Sequence, residues 1–370
     1  MRIEVLDLFS GIGGFSLAAH SVGFDTAAFC EIDPYCQKVL RRHFPGVPIF
    51  DDVKELTADA LADAAGVRRD GDYPDDRGSG GAATTAGRPE RMPQELNGQS
   101  ARGRDALILT AGFPCQDISY AGKGAGLAGE RSGLFYEVAR LVGELRPDYA
   151  LLENVAGLLT RGIDAVLGTL ASLGYDALWA CIPACAVGAP HRRDRVWILA
   201  APEGTPLTGI YERVLSGLTP FGDVAYGWPT ATASDWKGAC ASEVAEGGNG
   251  RLDNVVEGIA DAGNPGSLNP AWVETLMGYP IGYTLPDGDV MRELPNVWPA
   301  GLGAEQHEWE PPRLTSVKEN RADRLKALGN SIVPQVARLW LDAIREENAP
   351  ATCEGVQACD DVQPLSQVAR

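Results

Sequence analysis

The chain has 370 residues, 45% of them hydrophobic, which suits one large domain with a smaller one or two of ordinary size. No run approaches 18 uninterrupted apolar residues, and the acids in Met1-Arg-Ile-Glu-Val-Leu-Asp7 are unlike an apolar leader, so the expected setting is cytoplasmic, with no membrane. The net charge of −18 argues against a nucleic-acid partner only if binding needed a basic surface overall, and Arg192, Arg193 and Arg195, then Arg313, Lys318, Arg321, Arg324 and Lys326, form two local basic stretches.

Short apolar runs alternate with helical patterns, which predicts a βαβ rhythm and a mostly parallel sheet. Residues 3–8 read as the first strand, followed by the glycine turn Ser10-Gly-Ile-Gly-Gly14 and an amphipathic helix over 15–22. A strand over 26–30 ends at Glu31, and a helix over 34–43 carries Pro34 in its first turn. A brief strand at 47–50 precedes Asp51-Asp52. Residues 67–104 are rich in Gly, Asp, Arg, Ser and Pro and read as a disordered surface insertion. Strand 106–111, helix 134–145 and strand 149–152 continue the rhythm, and 177–183 with 195–200 read as an antiparallel hairpin at the sheet edge. From 203 to 315 Gly, Pro and Trp are frequent and the rhythm is lost, as in a separate small domain. Within it, 268–280 reads as a helix with Asn269 as N-cap and Pro270 at the first position. A segment over 316–347, with a closing helix at 334–345, precedes a flexible tail at 348–370.

Four groups carry candidate chemistry. The turn Asp7-Leu-Phe-Ser-Gly-Ile-Gly-Gly14 follows a strand, and Glu31 lies twenty residues after Gly11 at the end of the next. An acid there can accept both ribose hydroxyls of a nucleoside. Position 16 is Ser16, so the Gly-x-Gly-x-x-Gly pattern of a pyrophosphate turn is incomplete, and an adenosine cofactor without phosphates, such as S-adenosylmethionine, fits better. In Thr110-Ala-Gly-Phe-Pro-Cys-Gln-Asp-Ile-Ser119 the thiol of Cys115 follows a strand end, where open α/β sheets place ligands. Alone, Cys115 reads first as a small buried hydrophobe, and only the other motifs reverse that reading. Glu153-Asn154-Val155 ends a strand of the same sheet, and a carboxyl in a low-dielectric pocket there can hold a proton for a ring nitrogen. In His191-Arg-Arg-Asp-Arg195, alternation along an extended segment puts Arg193 and Arg195 on one face. The eight cysteines fit reduced thiols, and Cys181-x-x-x-Cys185 has no partner pair at finger spacing, so no metal is expected.

Together with Leu328-Gly-Asn-Ser-Ile-Val-Pro-Gln335, these motifs resemble, in order and spacing, those of DNA cytosine-5 methyltransferases of bacterial and phage type. The resemblance covers about the first 200 residues and the closing segment. It implies a Rossmann-like S-adenosylmethionine-dependent methyltransferase fold over 1–202 and a small irregular target-recognition domain over 203–315. It implies that Phe9, Ser10, Gly11, Ile12, Gly13, Gly14, Glu31, Ile32, Asp52, Val53 and Pro114 line the cofactor, with Asn330 and Ser331 closing the site. Cys115 is then the nucleophile, Glu153 the acid at the base ring, and Arg193 and Arg195 the positioning cations. One departure is His191, where the family more often has Gln.

The implied partner is double-stranded DNA, bound by a monomer, with a cognate restriction endonuclease or none. A tRNA cytosine-5 methyltransferase on the same fold is the alternative, and an NAD-dependent dehydrogenase built on the glycine turn is more remote. Trp228, Trp236, Trp272, Trp298 and Trp309 in the recognition segment read first as core. The polar run Thr230-Ala-Thr-Ala-Ser-Asp-Trp-Lys237 offers side chains for base edges and Lys237 for phosphate.

Overall fold

The computed structural model describes residues 2–65, 106–114, 133–219, 227–238, 251–259 and 266–349. The insertion expected at 67–104, Cys115 and the tail beyond 349 lie outside the described residues. The described strands β1 (Ile3–Leu8), β2 (Asp25–Cys30), β3 (Ile49–Phe50), β4 (Ala106–Gly112), β5 (Tyr149–Val155), β6 (Tyr175–Ile182) and β7 (Arg195–Pro202) form one sheet in the order β3-β2-β1-β4-β5-β7-β6. β1 to β5 are parallel, and β7 pairs antiparallel with both β5 and β6. The sheet is therefore the mostly parallel α/β sheet expected, with the antiparallel hairpin at its edge.

Helices cover both faces because each strand is apolar on both. In β7, Trp197, Leu199 and Ala201 enter one core while Val196, Ile198 and Ala200 enter the other. The second core is closed by α3 (Ala58–Ala65), α4 (Gly133–Leu145) and α6 (Ile163–Ser172), which follows the short α5 (Leu158–Arg161). The first is closed by α1 (Gly14–Ser21), by part of α2 (Pro34–His43) and by α7 (Leu207–Ser216). The closing helix Pro334–Glu347 returns between α1 and α7 and buries Trp340 and Leu341 completely.

Two helix starts carry side-chain caps, of which the sequence reading expected only the second. Asp33 caps α2 by accepting from Tyr35 N at 2.8 Å, with Pro34 at the first helical position. Asn269 caps the helix Pro270–Leu276 by accepting from Ala271 N at 3.1 Å.

The described part of residues 203–315 packs on the sheet and its helices. α7 lies inside that range and packs on β6, β7 and the closing helix. Trp228, Trp272, Tyr279 and Tyr283 are buried in the same continuous core as β1, α1 and the closing helix. Among its described residues the other elements are the single turn Asp235–Lys237, the helices Leu252–Ile259 and Pro270–Leu276, and the two-residue strands Ser267–Leu268 and Leu314–Thr315. Of the tryptophans read as core there, Trp228 and Trp272 are buried and Trp298 packs partly buried against that core, whereas Trp236 and Trp309 are 42% and 40% exposed.

Candidate active site

The carboxyl ends of β1, β2, β4 and β5 converge on one edge, where open α/β sheets hold ligands. β1 leads into a turn made by Phe9 and Gly11, whose φ angles of 52° and 53° are left-handed. Ser10 locks it, donating from Oγ to Asp7 O at 2.6 Å. Beneath the turn Asp7 is fully buried and accepts from Ser16 Oγ at 2.8 Å and Thr110 Oγ1 at 3.2 Å. Burial, only partly offset by those two hydroxyls, pushes its carboxyl up to about 7.

The glycines divide by purpose. A Cβ on Gly11 would meet nothing within 4 Å, so the turn faces open space there. A Cβ on Gly14 would lie 2.5 Å from Tyr279 Oη and 2.7 Å from Ile332 Cγ1, and one on Gly13 2.9 Å from Leu40 Cδ2. Gly13 and Gly14 are thus small because protein packs on them, not because a ligand does. Tyr283 completes the contact, donating from Oη to Ile12 O at 3.0 Å. Tyr279 and Tyr283 were not expected as site residues; their signal was the run Met277-Gly-Tyr-Pro-Ile-Gly-Tyr-Thr284, which begins in the capped segment.

Glu31 sits at the end of β2 and is 9% exposed. Its Oε2 accepts from Gly11 N at 2.6 Å and its Oε1 from Asp33 N at 2.7 Å, while burial raises its carboxyl above the usual range. Each oxygen keeps a second lone pair for a hydroxyl. Ile32 is 70% exposed beside it, an apolar surface suited to a flat ring. Asp52 receives Lys54 N at 3.0 Å, Val53 is buried behind it, and Gln37 Nε2 ties Glu31 O to Asp51. Open space at Gly11, a carboxylate with spare acceptors and an exposed aliphatic wall fit an adenosine moiety.

The parallel register pairs Gly112 of β4 with Glu153 of β5, and the antiparallel register pairs Val155 with Arg195 of β7. Glu153 and Arg195 are therefore diagonal neighbours on one sheet face, and Arg195 Nε lies 2.8 Å from Glu153 Oε1. Burial raises the Glu153 carboxyl above its ordinary range, and the Arg195 charge opposes it. Oε2 lies over Gly112, 3.5 Å from where a Cβ would stand. Asn154 Nδ2 donates to Phe113 O at 3.0 Å, which fixes the backbone just before the half-buried Pro114.

Arg193 departs from the expected pairing with Arg195. Its own φ is +39°, so the segment is not extended and alternation does not hold. The guanidinium is buried and donates to Ala231 O at 2.9 Å, to Gly329 O at 3.1 Å and to Ser331 O. Burial lowers its pKa to about 9. Arg195 makes the hydrogen-bonded contact with Glu153, while Arg193, whose charge also acts on that carboxyl, pins the 231 and 329–331 backbones together. His191 is also fully buried, with Nε2 2.9 Å from Leu276 O, and burial lowers its ring to about 3, so it is neutral.

Asn330 ends the helix Arg321–Asn330 and is exposed, while Ser331 Oγ donates to Leu328 O at 2.8 Å. Through Arg193 and Ile332 this turn adjoins both the 231 backbone and Gly14.

The family model for C-5 cytosine-specific DNA methylase matches residues 3–67 and 95–221, more than half of the chain. The Type II methyltransferase M2.BsuMI of Bacillus subtilis is 31% identical over 207 residues, 54% of this chain and 42% of that protein. M.XorII of Xanthomonas oryzae pv. oryzae is 29% identical over 244 residues, 62% of this chain and 49% of that one. The chain thus spans about half the length of the relatives it matches. Among solved structures, the Dnmt2 methyltransferase of S. pombe superposes with a TM-score of 0.55 at 15% identity, covering 94% of this chain and 99% of that one. The methyltransferase EhMeth of Entamoeba histolytica gives 0.51 at 11% identity, covering 95% and 100%. These two likenesses speak to the fold, a Rossmann-like methyltransferase sheet. The matched residues include β1 with its glycine turn, Glu31, and the Glu153 and Arg195 pair, and by that match the chain belongs to the C-5 cytosine-specific DNA methylase family.

Proposed function

We propose that the protein transfers a methyl group from S-adenosylmethionine to C5 of cytosine in double-stranded DNA at a specific sequence, through a covalent bond between Cys115 and C6 of a flipped base. The observation that carries this reading is the buried Glu153–Arg195 pair at 2.8 Å, beside the Phe113-Pro114 backbone that Asn154 holds. A glycine turn alone would suit a dehydrogenase equally; the family match over residues 3–67 and 95–221, which takes in this pair, favours methyl transfer.

C5 of cytosine is a poor nucleophile. Attack of the Cys115 thiolate forms the S–C6 bond and drives the ring electron pair to C5. Glu153, whose burial favours the protonated form, holds a proton at N3 as charge builds there. Arg195 fixes Glu153 through Oε1 and offers its remaining N–H groups to O2. When bound, S-adenosylmethionine supplies the electrophilic methyl that C5 accepts. Loss of the C5 proton and breaking of the S–C6 bond then restore the aromatic ring and free Cys115. Glu31 would hold the ribose and Ile32 would flank the adenine, with Asp52, Val53, Phe9, Ser10 to Gly14, Pro114, Asn330 and Ser331 completing the wall. The stacked duplex hides C6, so the base must leave the helix, and residues 203–315 hold the opened duplex.

Bisulfite sequencing of DNA from cells expressing the protein tests this directly. Protected cytosines within one short sequence are expected, and none with Cys115→Ser. DNA without protected cytosines, alongside modified tRNA from the same cells, would move the substrate to RNA.

A further inference from the structure

The polar run 230–237 is held in place by charged groups from three other segments. Arg193 donates to Ala231 O at 2.9 Å, Arg251 Nη2 to Ser234 O at 2.9 Å, and Arg321 Nη1 to Trp236 O at 3.0 Å. Asp235, 1% exposed, folds the run on itself by accepting from Thr232 N at 2.7 Å and Thr232 Oγ1 at 2.8 Å. Gly329 lets the run lie directly on the turn before Asn330, since a Cβ there would overlap the Thr232–Ala233 backbone. Burying Arg193 and Asp235 costs several kcal/mol of lost hydration. What this anchoring holds is a short turn whose two end side chains pack into no core.

Trp236 is 42% exposed, whereas Trp228 and Trp272, in the same irregular segment, are 2% and 0%. Lys237 follows it, exposed, and among the described residues its ammonium has no ion-pair partner, in a chain of net charge −18. A rigid aromatic face next to a cation without an ion-pair partner among the described residues, on a turn whose Ala231 carbonyl Arg193 holds and whose Thr232–Ala233 backbone lies on Gly329, is chemically matched to a nucleotide: a ring for the base and an ammonium for the phosphate. A preorganised tip of this kind loses little entropy on binding.

We propose that Trp236 and Lys237 form a fixed prong that engages the DNA strand next to the flipped cytosine, Lys237 on a backbone phosphate and Trp236 against the adjoining nucleotide. This rests on the DNA-methylating reading above. The test uses the full-length protein and a fluorescein-labelled duplex carrying the sequence mapped by bisulfite, with Kd read by anisotropy across a NaCl series. Lys237→Gln is expected to reduce the slope of log K against log salt by about 1, the share of one phosphate. Trp236→Ala is expected to weaken binding roughly 5- to 100-fold at unchanged slope, with Trp236→Phe recovering most of it. Both variants keep the wild-type affinity for S-adenosylmethionine by calorimetry, which separates the prong from misfolding. Trp179→Ala, which removes an equally exposed tryptophan on the edge strand β6, leaves binding unchanged. Variants that match the wild type in Kd and slope, in a protein that does methylate DNA, overturn the prong alone. A wild-type protein that neither methylates nor binds the duplex overturns the prong together with the reading beneath it.

Discussion

Arg193 distinguishes a structural pin from a catalytic cation, and Arg193→Met tests which it is. Methionine keeps most of the side-chain volume and removes the charge. Three backbone carbonyls, of Ala231, Gly329 and Ser331, lose their donor in a site where Arg193 is 4% exposed. Hydrogen bonds to a charged group contribute about 1.5–3 kcal/mol each. The loss is offset by no longer burying a guanidinium, itself several kcal/mol. A net loss of about 3 kcal/mol remains, in line with breaking other buried charged contacts. That is a factor of about 160 in the folding equilibrium and, at about 2 °C per kcal/mol for a chain this large, a fall of roughly 6 °C in Tm. Urea unfolding followed by circular dichroism and intrinsic fluorescence gives the free energy, and calorimetry gives cofactor affinity, which should fall because Ser331 and Asn330 lose their anchor. Arg195→Met removes the cation beside the buried Glu153, so it should lower kcat and also cost stability, but leave cofactor affinity unchanged because Arg195 holds none of the 231 and 329–331 carbonyls. Arg193→Met with wild-type stability and a collapsed kcat would refute the pin and return Arg193 to the base ring.

Two more expectations follow from the cofactor turn. Gly14→Ala should destabilise the protein by about 1–3 kcal/mol through overpacking against Tyr279 and Ile332; Tyr279→Phe in the same chain should recover part of it, and a double-mutant cycle with zero coupling would sink the packing explanation. Asp7 has a folded-state pKa of about 7 against 3.8, so the protonated carboxyl is the form that the native state favours. Its contribution to stability is complete below pH 4 and is lost as pH rises through 7. Asp7→Asn should therefore gain stability relative to the wild type between pH 5 and pH 8, measured by urea unfolding, and an unchanged pH profile would show that Asp7 does not titrate there.

The parallel layer was legible because each of its strands is a short apolar run ending in a turn or an acid, and because Asp33-Pro34 and Asn269-Pro270 carry their own caps. Less visible were α3, α6 and α7. α3 is mostly alanine, with Leu61 as its one large side chain, and it abuts the glycine-rich insertion. α7 follows Pro206 and contains Gly209, so it looked irregular, yet Leu207, Ile210 and Val214 make one buried stripe against the sheet. In the site, Glu31, Glu153 and Arg195 were legible by strand-end position alone. Arg193 was not, because its φ of +39° turns it out of the alternation on which its pairing with Arg195 was argued.

The glycines of the turn serve two different ends. Of its glycines, Gly11 faces open space while Gly13 and Gly14 meet Leu40, Tyr279 and Ile332. The tyrosines come from a segment some 265 residues away in sequence, and Tyr283 Oη bonds the Ile12 carbonyl at 3.0 Å, between the two sets. Tyr35 Oη, on α2, reaches back to Thr284 O at 2.8 Å, and the fully buried Glu274 accepts from Thr284 N at 2.8 Å and pairs with Arg324 at 2.9 Å. The turn proposed to hold the cofactor is thus braced from behind by the segment proposed to hold DNA. On the proposed function, a displacement of residues 279–284 by DNA would move Ile12 or break its hydrogen bond, and would then couple the two ligands through a contact worth about 1 kcal/mol, a several-fold change in either affinity.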